Sequence, residues 1–214
     1  MLKSKENQQF ANGGIMAQYK KDTVKEIIDN AALKVFFQKG YQDTKIIDIS
    51  EISAVSVGNI YRYYKGKEDI FYSLISQDFF DSFQEKLTNK IVGWKGRNDR
   101  PNEHLSNNEQ FTSFIIENRM LFVIIFSGCK GTRYENAKKE LVDFLTDIYI
   151  TNYGQNLNFN MRENLSIINL IYEKYIELIS SILSNVTDHE ELKTMLELAN
   201  KYHLNGITSF ISQI

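Results

Sequence analysis

Residues 44–69, TKIIDISEISAVSVGNIYRYYKGKED, constrain the fold most, because they read as two short helices at a sharp turn followed by the start of another. Ile46, Ile49, Ile52, Val55 and Ile60 are the apolar positions, with Ser50 small where one helix crosses another and Ala54 small at the turn. That is helix-turn-helix patterning. Thr44 and Ser56 stand where hydroxyls cap the two helices, each accepting an amide hydrogen that otherwise has no partner, worth ~1 kcal/mol per cap. The second helix therefore begins near Val57.

Around this unit the chain reads as all-α. It has one proline and few alternating β-branched runs. A first helix over Thr23–Lys39 places Val24, Ile27, Ala31 and Val35 on one face, with Ile28, Ala32 and Phe36 beside it, and Gly40 stops it. Helices at Lys45–Ile52 and Val57–Tyr63 complete a three-helix domain over residues 22–66. Residues 1–21 are polar, contain Gly13-Gly14 and show no period, so a disordered leader is expected, its lysines Lys3, Lys5, Lys20 and Lys21 either brushing phosphate or simply solvated. Met16 is an alternative start to Met1. A long helix from Lys67 to about Val92 carries Phe71, Ile75, Phe79, Phe83, Leu87 and Ile91 at four-residue spacing and is expected to join this domain to a larger one over residues 67–214. Residues 93–102, with the chain's proline and tryptophan, read as a loop. Further helices are expected at about Asn107–Asn118, Arg119–Ser127, Tyr134–Tyr153, Met161–Ser184 and Asp188–Ser212, with Met120–Phe126 apolar all round and hence central. In the last two, Leu165, Ile168, Tyr172, Tyr175, Ile179 and Ile182 and then Leu192, Met195, Ala199, Tyr202, Gly206 and Phe210 form stripes suited to a four-helix bundle. Two helices per chain make four only with a second copy; packing within the chain is the simpler alternative.

Composition excludes more than it assigns. Cys129 is the only cysteine, so no intramolecular disulfide forms, and the chain fits a reducing cytoplasm. Met120–Phe126, the longest apolar run, is far short of the ~20 residues that span a bilayer, so no membrane role is expected. Net charge is −2, with the first 75 residues at +2 and the remainder at −4, an asymmetry that a solvated surface explains as well as a DNA footprint. His104, His189 and His203 fit no metal-ligand spacing, and no glycine-rich phosphate loop occurs. Cys129 beside Lys130 is either a reactive thiol or a buried inert one. The expectation is no enzyme, no metal and no cofactor.

A recognition helix puts its first turn into the major groove. Val57, Gly58 and Asn59 occupy that turn: Asn59 can pair with adenine, Val57 can meet a thymine methyl, and Gly58 lets the backbone approach closely. Gly58 and Asn59 also suit a helix start for purely local reasons. Thr44 and Lys45 open the preceding helix and Ser56 the recognition helix, where amide ends meet phosphate. Arg62 is either a phosphate contact or a solvated charge.

The run Val55–Tyr64 followed by Lys67-Glu68, with Ile27, Ala31, Val35, Phe36, Gly40 and Tyr41 upstream, closely resembles the tetracycline-repressor (TetR) family of bacterial transcription regulators over residues 22–75. The resemblance implies that Tyr61 and Tyr63 touch DNA, that Lys67 binds phosphate, and that the chain is a homodimeric repressor, paired through its two C-terminal helices, on a palindromic operator in double-stranded DNA. It departs from the family pattern at Ala54, where a turn glycine is usual, at Ser50 for alanine, at Lys45 for a small hydroxyl residue, and at Tyr64 for phenylalanine, which assigns Tyr64 to packing. A small apolar or amphipathic ligand is expected in the larger domain among Phe83, Phe111, Phe114, Phe122, Phe126, Phe144, Tyr172 and Tyr175, with Glu117 and Asn169 as polar candidates. The contrasting reading is a helical adaptor of the same fold that binds a protein instead of DNA.

Overall fold

The computed structural model describes residues 3–92, 109–153 and 161–211, with most of their side chains from Asp22 onward. These residues form helices and no strand. In order they are α1 (Lys3–Asp43), α2 (Ile46–Ser53), α3 (Val57–Ile60), α4 (Lys67–Leu74), α5 (Gln77–Val92), α6 (Glu109–Glu117), α7 (Arg119–Ser127), α8 (Ala137–Tyr153), α9 (Met161–Asn185) and α10 (His189–Ile211). The loop expected over 93–102 and His104 lie outside the described residues.

Two compact units result, one of residues 1–39 and 43–75, the other of Gly40–Gln42 and 76–214. The division falls after Ile75, not before Lys67, because α4 contributes Ile70, Phe71 and Ile75 to the first core, where Phe71 meets Phe36 edge-on at 5.2 Å. Helix α1 also reaches back to Lys3, over a leader expected to be disordered. Apart from Gly13-Gly14 that leader is rich in Lys, Gln and Ala, and adding turns to a nucleated helix costs far less than starting one.

In the first unit Ile28, Ala31, Ala32, Val35, Phe36, Ile49 and Ile60 are buried, so α1 is the floor on which α2 and α3 rest. Ile52 departs from the expected core, 47% exposed on the outer side of α2. Gly40 has φ 71° and ψ 172°, which ends the regular part of α1 where the sequence places its stop. The α2–α3 turn is closed by serines. Ser50 Oγ donates to the Val55 carbonyl at 2.7 Å, the Val55 N–H donates to Ser53 Oγ at 3.2 Å, and the Asn59 N–H donates to Ser56 Oγ at 3.3 Å. Within that frame Ala54 is left-handed, φ 53° and ψ 19°.

Beyond α3, turn-type bonds carry the chain to Tyr64, whose ring is buried and whose hydroxyl donates to Asp29 Oδ1 on α1. Lys25 holds the other carboxylate oxygen at 2.7 Å, and Ser73 Oγ of α4 lies 3.3 Å from the phenol. Burial, then the Asp29 bond, pushes the Tyr64 pKa above the ordinary tyrosine value. Packing alone, expected for Tyr64, is therefore only part of its role.

The long helix expected from Lys67 to Val92 is broken. Ile75, at φ −110° and ψ 81°, ends α4, and Ser76 starts α5 by accepting the Phe79 N–H at 3.3 Å. Four-residue spacing persists across the break, which is why periodicity does not reveal it.

In the second unit α7 is central: Phe122, Val123, Ile124 and Ile125 are buried on successive sides. Helix α9 packs against α7, α8 and α10, and a second cluster joins Leu87, Val142, Leu145, Ile168, Tyr172, Ile176 and Ile207. Among the described residues no single helix is long and apolar enough to cross a membrane. The α9 stripe expected to face another chain points inward instead, with Ile168, Tyr172 and Ile182 buried.

Two substitutions test this account. Ala54→Gly relieves a left-handed alanine that costs ~1–2 kcal/mol, less the ~0.4–1 kcal/mol by which glycine loosens the unfolded chain; denaturant unfolding is expected to show a net gain of about 0.5–1 kcal/mol. Tyr64→Phe keeps the ring and loses its bond to a carboxylate, so stability is expected to fall by about 1–2 kcal/mol; unchanged stability would reduce Tyr64 to packing.

Candidate nucleic-acid interface

Helix α3 exists because Ser56 caps it and Ile60 is buried beneath it. Everything else on its first turns faces outward or sideways: Ser56 and Gly58 are exposed, Val57 and Asn59 half-buried, Tyr61 54% exposed, Arg62 exposed and Tyr63 half-buried. The side-chain amide of Asn59 makes no hydrogen bond among the described residues, while its backbone N–H is taken by Ser56. A Cβ built on Gly58 would meet nothing within 4 Å. No internal packing therefore requires glycine there, and a closely approaching ligand backbone would.

The charges around α3 are arranged asymmetrically. Asp48 accepts from the Lys39 ammonium at 2.8 Å and from the Lys45 N–H at 2.8 Å, and these bonds, Lys39's first, hold its carboxyl below the ordinary range. With that carboxylate engaged, the Lys45 side chain stands exposed at the start of α2. Lys67 opens α4, where burial draws its pKa below the usual lysine value and Asp43 opposes the shift. Lys65, exposed between Tyr64 and Gly66, belongs to the same basic edge and was not singled out in the sequence. Its position in the Tyr-Lys-Gly-Lys run is the signal that identifies it. Thr44 requires correction: its side chain is 2% exposed and α2 is capped from Lys45, so its hydroxyl neither starts that helix nor faces a phosphate.

The second unit holds a cavity of about 160 Å³ lined by Phe80, Phe83, Gln84, Phe122, Ile125, Phe126, Ala137, Glu140, Leu141 and Phe144. Four expected ligand residues, Phe83, Phe122, Phe126 and Phe144, are on its wall. Phe111 stacks on Phe83 at 6.2 Å, and Phe114 lies 5.9 Å edge-on from Phe122. Tyr172 is in the adjoining core, Tyr175 donates to Asn200 Oδ1 at 3.2 Å, and Asn169 Oδ1 accepts from Thr146 at 2.5 Å. Glu117 is exposed and away from the wall. Cys129 is buried and burial pushes its thiol up to about 11, which disfavours thiolate chemistry. No three His, Cys, Asp or Glu among the described residues are grouped to hold a metal.

Comparison with known proteins agrees with this geometry. Residues 28–74 match the family described as bacterial regulatory proteins, tetR family. The chain is 35% identical over 66 residues to the HTH-type transcriptional regulator HbdR of Aromatoleum sp., covering 31% of this chain and 28% of that protein. It is 34% identical over 70 residues to the fatty acid metabolism regulator protein of Bacillus subtilis, covering 31% of this chain and 36% of that one. The match thus spans about a third of each relative or less. Over the whole fold, the fatty acid degradation regulator FadR of Bacillus halodurans superposes with a TM-score of 0.51 at 16% identity, covering 86% of this chain and 95% of its own. A TetR-like transcriptional regulator of Rhodococcus sp. RHA1 gives 0.50 at 16% identity, covering 86% and 96%. A three-helix domain with this turn and this recognition helix, over the matched span of residues 28–74, is similar to the N-terminal domain of bacterial regulatory proteins of the tetR family, and the all-helical fold as a whole is similar to that of solved regulators.

Proposed function

We propose that the chain is a sequence-specific, DNA-binding transcriptional repressor acting in the cytoplasm as a homodimer on a palindromic operator, released by a small ligand held in the second unit. The observation that carries this reading is the outward face of α3: an unengaged Asn59 amide and an open Gly58, beside an exposed Tyr61. Bidentate pairing of Asn with adenine is worth ~1–3 kcal/mol of discrimination, whereas Lys45, Arg62, Lys65 and Lys67 supply the sequence-independent attraction to phosphate. In a two-fold dimer the two copies of α3 would read half-sites ~34–36 Å apart. The kinship of the N-terminal span to named transcriptional regulators supports the same reading.

On α9 the dimer surface is assigned to a different face from the expected stripe, whereas on α10 it keeps Met195 and Tyr202 of that stripe. Ile167, Leu170 and Leu178 on α9 and Met195, Leu198 and Tyr202 on α10 are between 37% and 77% exposed. Their spacing of three and four, with one skipped turn, makes an apolar strip on each helix that nothing among the described residues covers. A second copy covering it gives a closed, isologous contact. Ligand control needs a coupling of ~1–3 kcal/mol between the units. Because α4 and α5 are separate helices, the single connecting helix expected from the sequence is not what carries that coupling.

Selection from a random DNA pool tests the central claim, and no enriched sequence at low salt would sink it. On the selected site Asn59→Ala is expected to flatten sequence preference. Lys67→Ala is expected to weaken binding to all DNA and reduce the salt slope by about one. Gly58→Ala should leave the fold as stable or slightly more so and still lower DNA affinity at least tenfold. Leu198→Asp is expected to convert a dimer to a monomer in light scattering at micromolar concentration; an unchanged mass would rule out this strip as the interface.

A further inference from the structure

The aromatic wall of the second unit ends in a charge that has no counter-ion among the described residues. Along α5, Phe83, Leu87 and Lys90 follow one another at helical spacing: Phe83 lines the cavity, Leu87 lies in the buried cluster, and Lys90 comes one turn later. The Lys90 ammonium stands 4.6 Å from the centre of the Phe111 ring, and Phe111 in turn stacks on Phe83. Cavity wall, aromatic stack and ammonium are therefore continuous. Lys90 makes no ion pair among the described residues, in contrast to Lys138, Lys139 and Lys174, each of which has a carboxylate within 3.0 Å.

From α9 and α10 come Tyr172, Tyr175 and His203. The His203 ring lies parallel to Tyr175 at 3.9 Å and 5.2 Å from Tyr172, is 8% exposed, and makes no hydrogen bond among the described residues. The charges at this end act on one another in the expected sense. Burial lowers Lys90 to about 8, and burial together with the Lys90 charge lowers His203 to about 4, so His203 is neutral at physiological pH and keeps one ring N–H to donate. Ammonium and imidazole together offer donors and positive charge with no anion to receive them. An ammonium enclosed by aromatic surface is costly unless something neutralises it, and a ring face supplies only a fraction of what a carboxylate does.

We infer that the ligand of the second unit is an amphipathic monoanion, its carboxylate received by Lys90 and His203 and its apolar body lying along Phe111 and Phe83 into the cavity bordered by Phe122, Phe126 and Phe144. This rests on the reading of the second unit as the ligand-binding unit and gives that ligand a chemical class. Lys90 receives the one charge, Lys86 adds positive field from 5.3 Å over the Phe114 ring, and the cavity wall is mainly aromatic with Gln84 and Glu140 as its polar members, so a carboxylate with a straight or aromatic tail fits where a multiply charged phosphate meets the Glu140 carboxylate.

The test uses the full chain, stripped of co-purified lipid, and calorimetric titration with linear carboxylates of six to sixteen carbons. Matched alcohols, amines and methyl esters serve as controls. At least one carboxylate is expected to bind tenfold or more tightly than its alcohol, amine and ester. Lys90→Met should erase that preference while leaving alcohol binding as it was, and should melt no lower than the parent, since it removes an unneutralised ammonium. His203→Phe, which keeps an aromatic ring, should weaken carboxylate binding severalfold; it serves equally if the lysine variant does not fold. Equal binding of carboxylate and alcohol, carboxylate binding indifferent to both substitutions, or no carboxylate bound at any length would overturn the inference. Operator release is measured separately. A carboxylate that binds through Lys90 without releasing DNA leaves this inference standing and removes the ligand-released repressor; release by an uncharged or cationic compound that displaces no carboxylate does the reverse.

Discussion

The geometry of the first unit depends on three serine hydroxyls spent on backbone. Ser50 and Ser53 bind the carbonyl and the amide of Val55, and Ser56 binds the amide of Asn59, so the chain can reverse between α2 and α3 although the residue at the turn is a left-handed alanine. Each bond is worth ~0.5–1.5 kcal/mol, and together they offset a strain of similar size. The stake is high because α3 has only four fully helical residues, far too few to hold shape alone. Its direction comes from outside: the turn fixes one end, Ile60 anchors the middle in the core, and Tyr64 on Asp29 fixes the other end to α1. A recognition face so made is rigid without being a stable helix in its own right.

Much of this was legible in residues 44–69, since capping and burial obey short-range rules. Ser56, Val57 and Ile60 stand where local chemistry puts them, and Gly40 ends the regular part of α1. What escaped had partners distant in sequence. Tyr64 and Asp29 are 35 residues apart, and no pattern near Tyr64 announces a carboxylate at its hydroxyl. Thr44 failed for the opposite reason: a hydroxyl before a helix is a good local cap, but this one is buried and the Asp48 carboxylate, three residues into α2, satisfies the Lys45 amide instead.

Periodicity also reports that a face is apolar without saying what covers it. Helix α9 carries two apolar faces, one through Ile168, Tyr172 and Ile176 that the chain buries and one through Ile167, Leu170 and Leu178 that it leaves open. The stripe with better spacing was the internal one. Similarly, the four-residue repeat from Phe71 to Ile91 crosses the break at Ile75 undisturbed, because one non-helical residue followed by a serine cap leaves no mark on the spacing of apolar residues. Fold class survives such errors. The identity of an interface and the stiffness of a connection do not.

Net charge is a poor guide for a related reason. The chain totals −2, yet Asp48 is matched by Lys39 and Asp29 by Lys25, while Lys45, Arg62 and Lys65 are exposed at the surface. What DNA meets is the residual field, not the sum. In the second unit Lys138, Lys139 and Lys174 are paired, and the half-buried Lys90 has no ion pair among the described residues. A cation unmatched beside an aromatic ring and an amide unmatched on an exposed helix are alike in kind, because each is a polar group with no partner among the described residues. In the first unit such a group is on the outward face of α3; in the second it stands against the Phe111 ring.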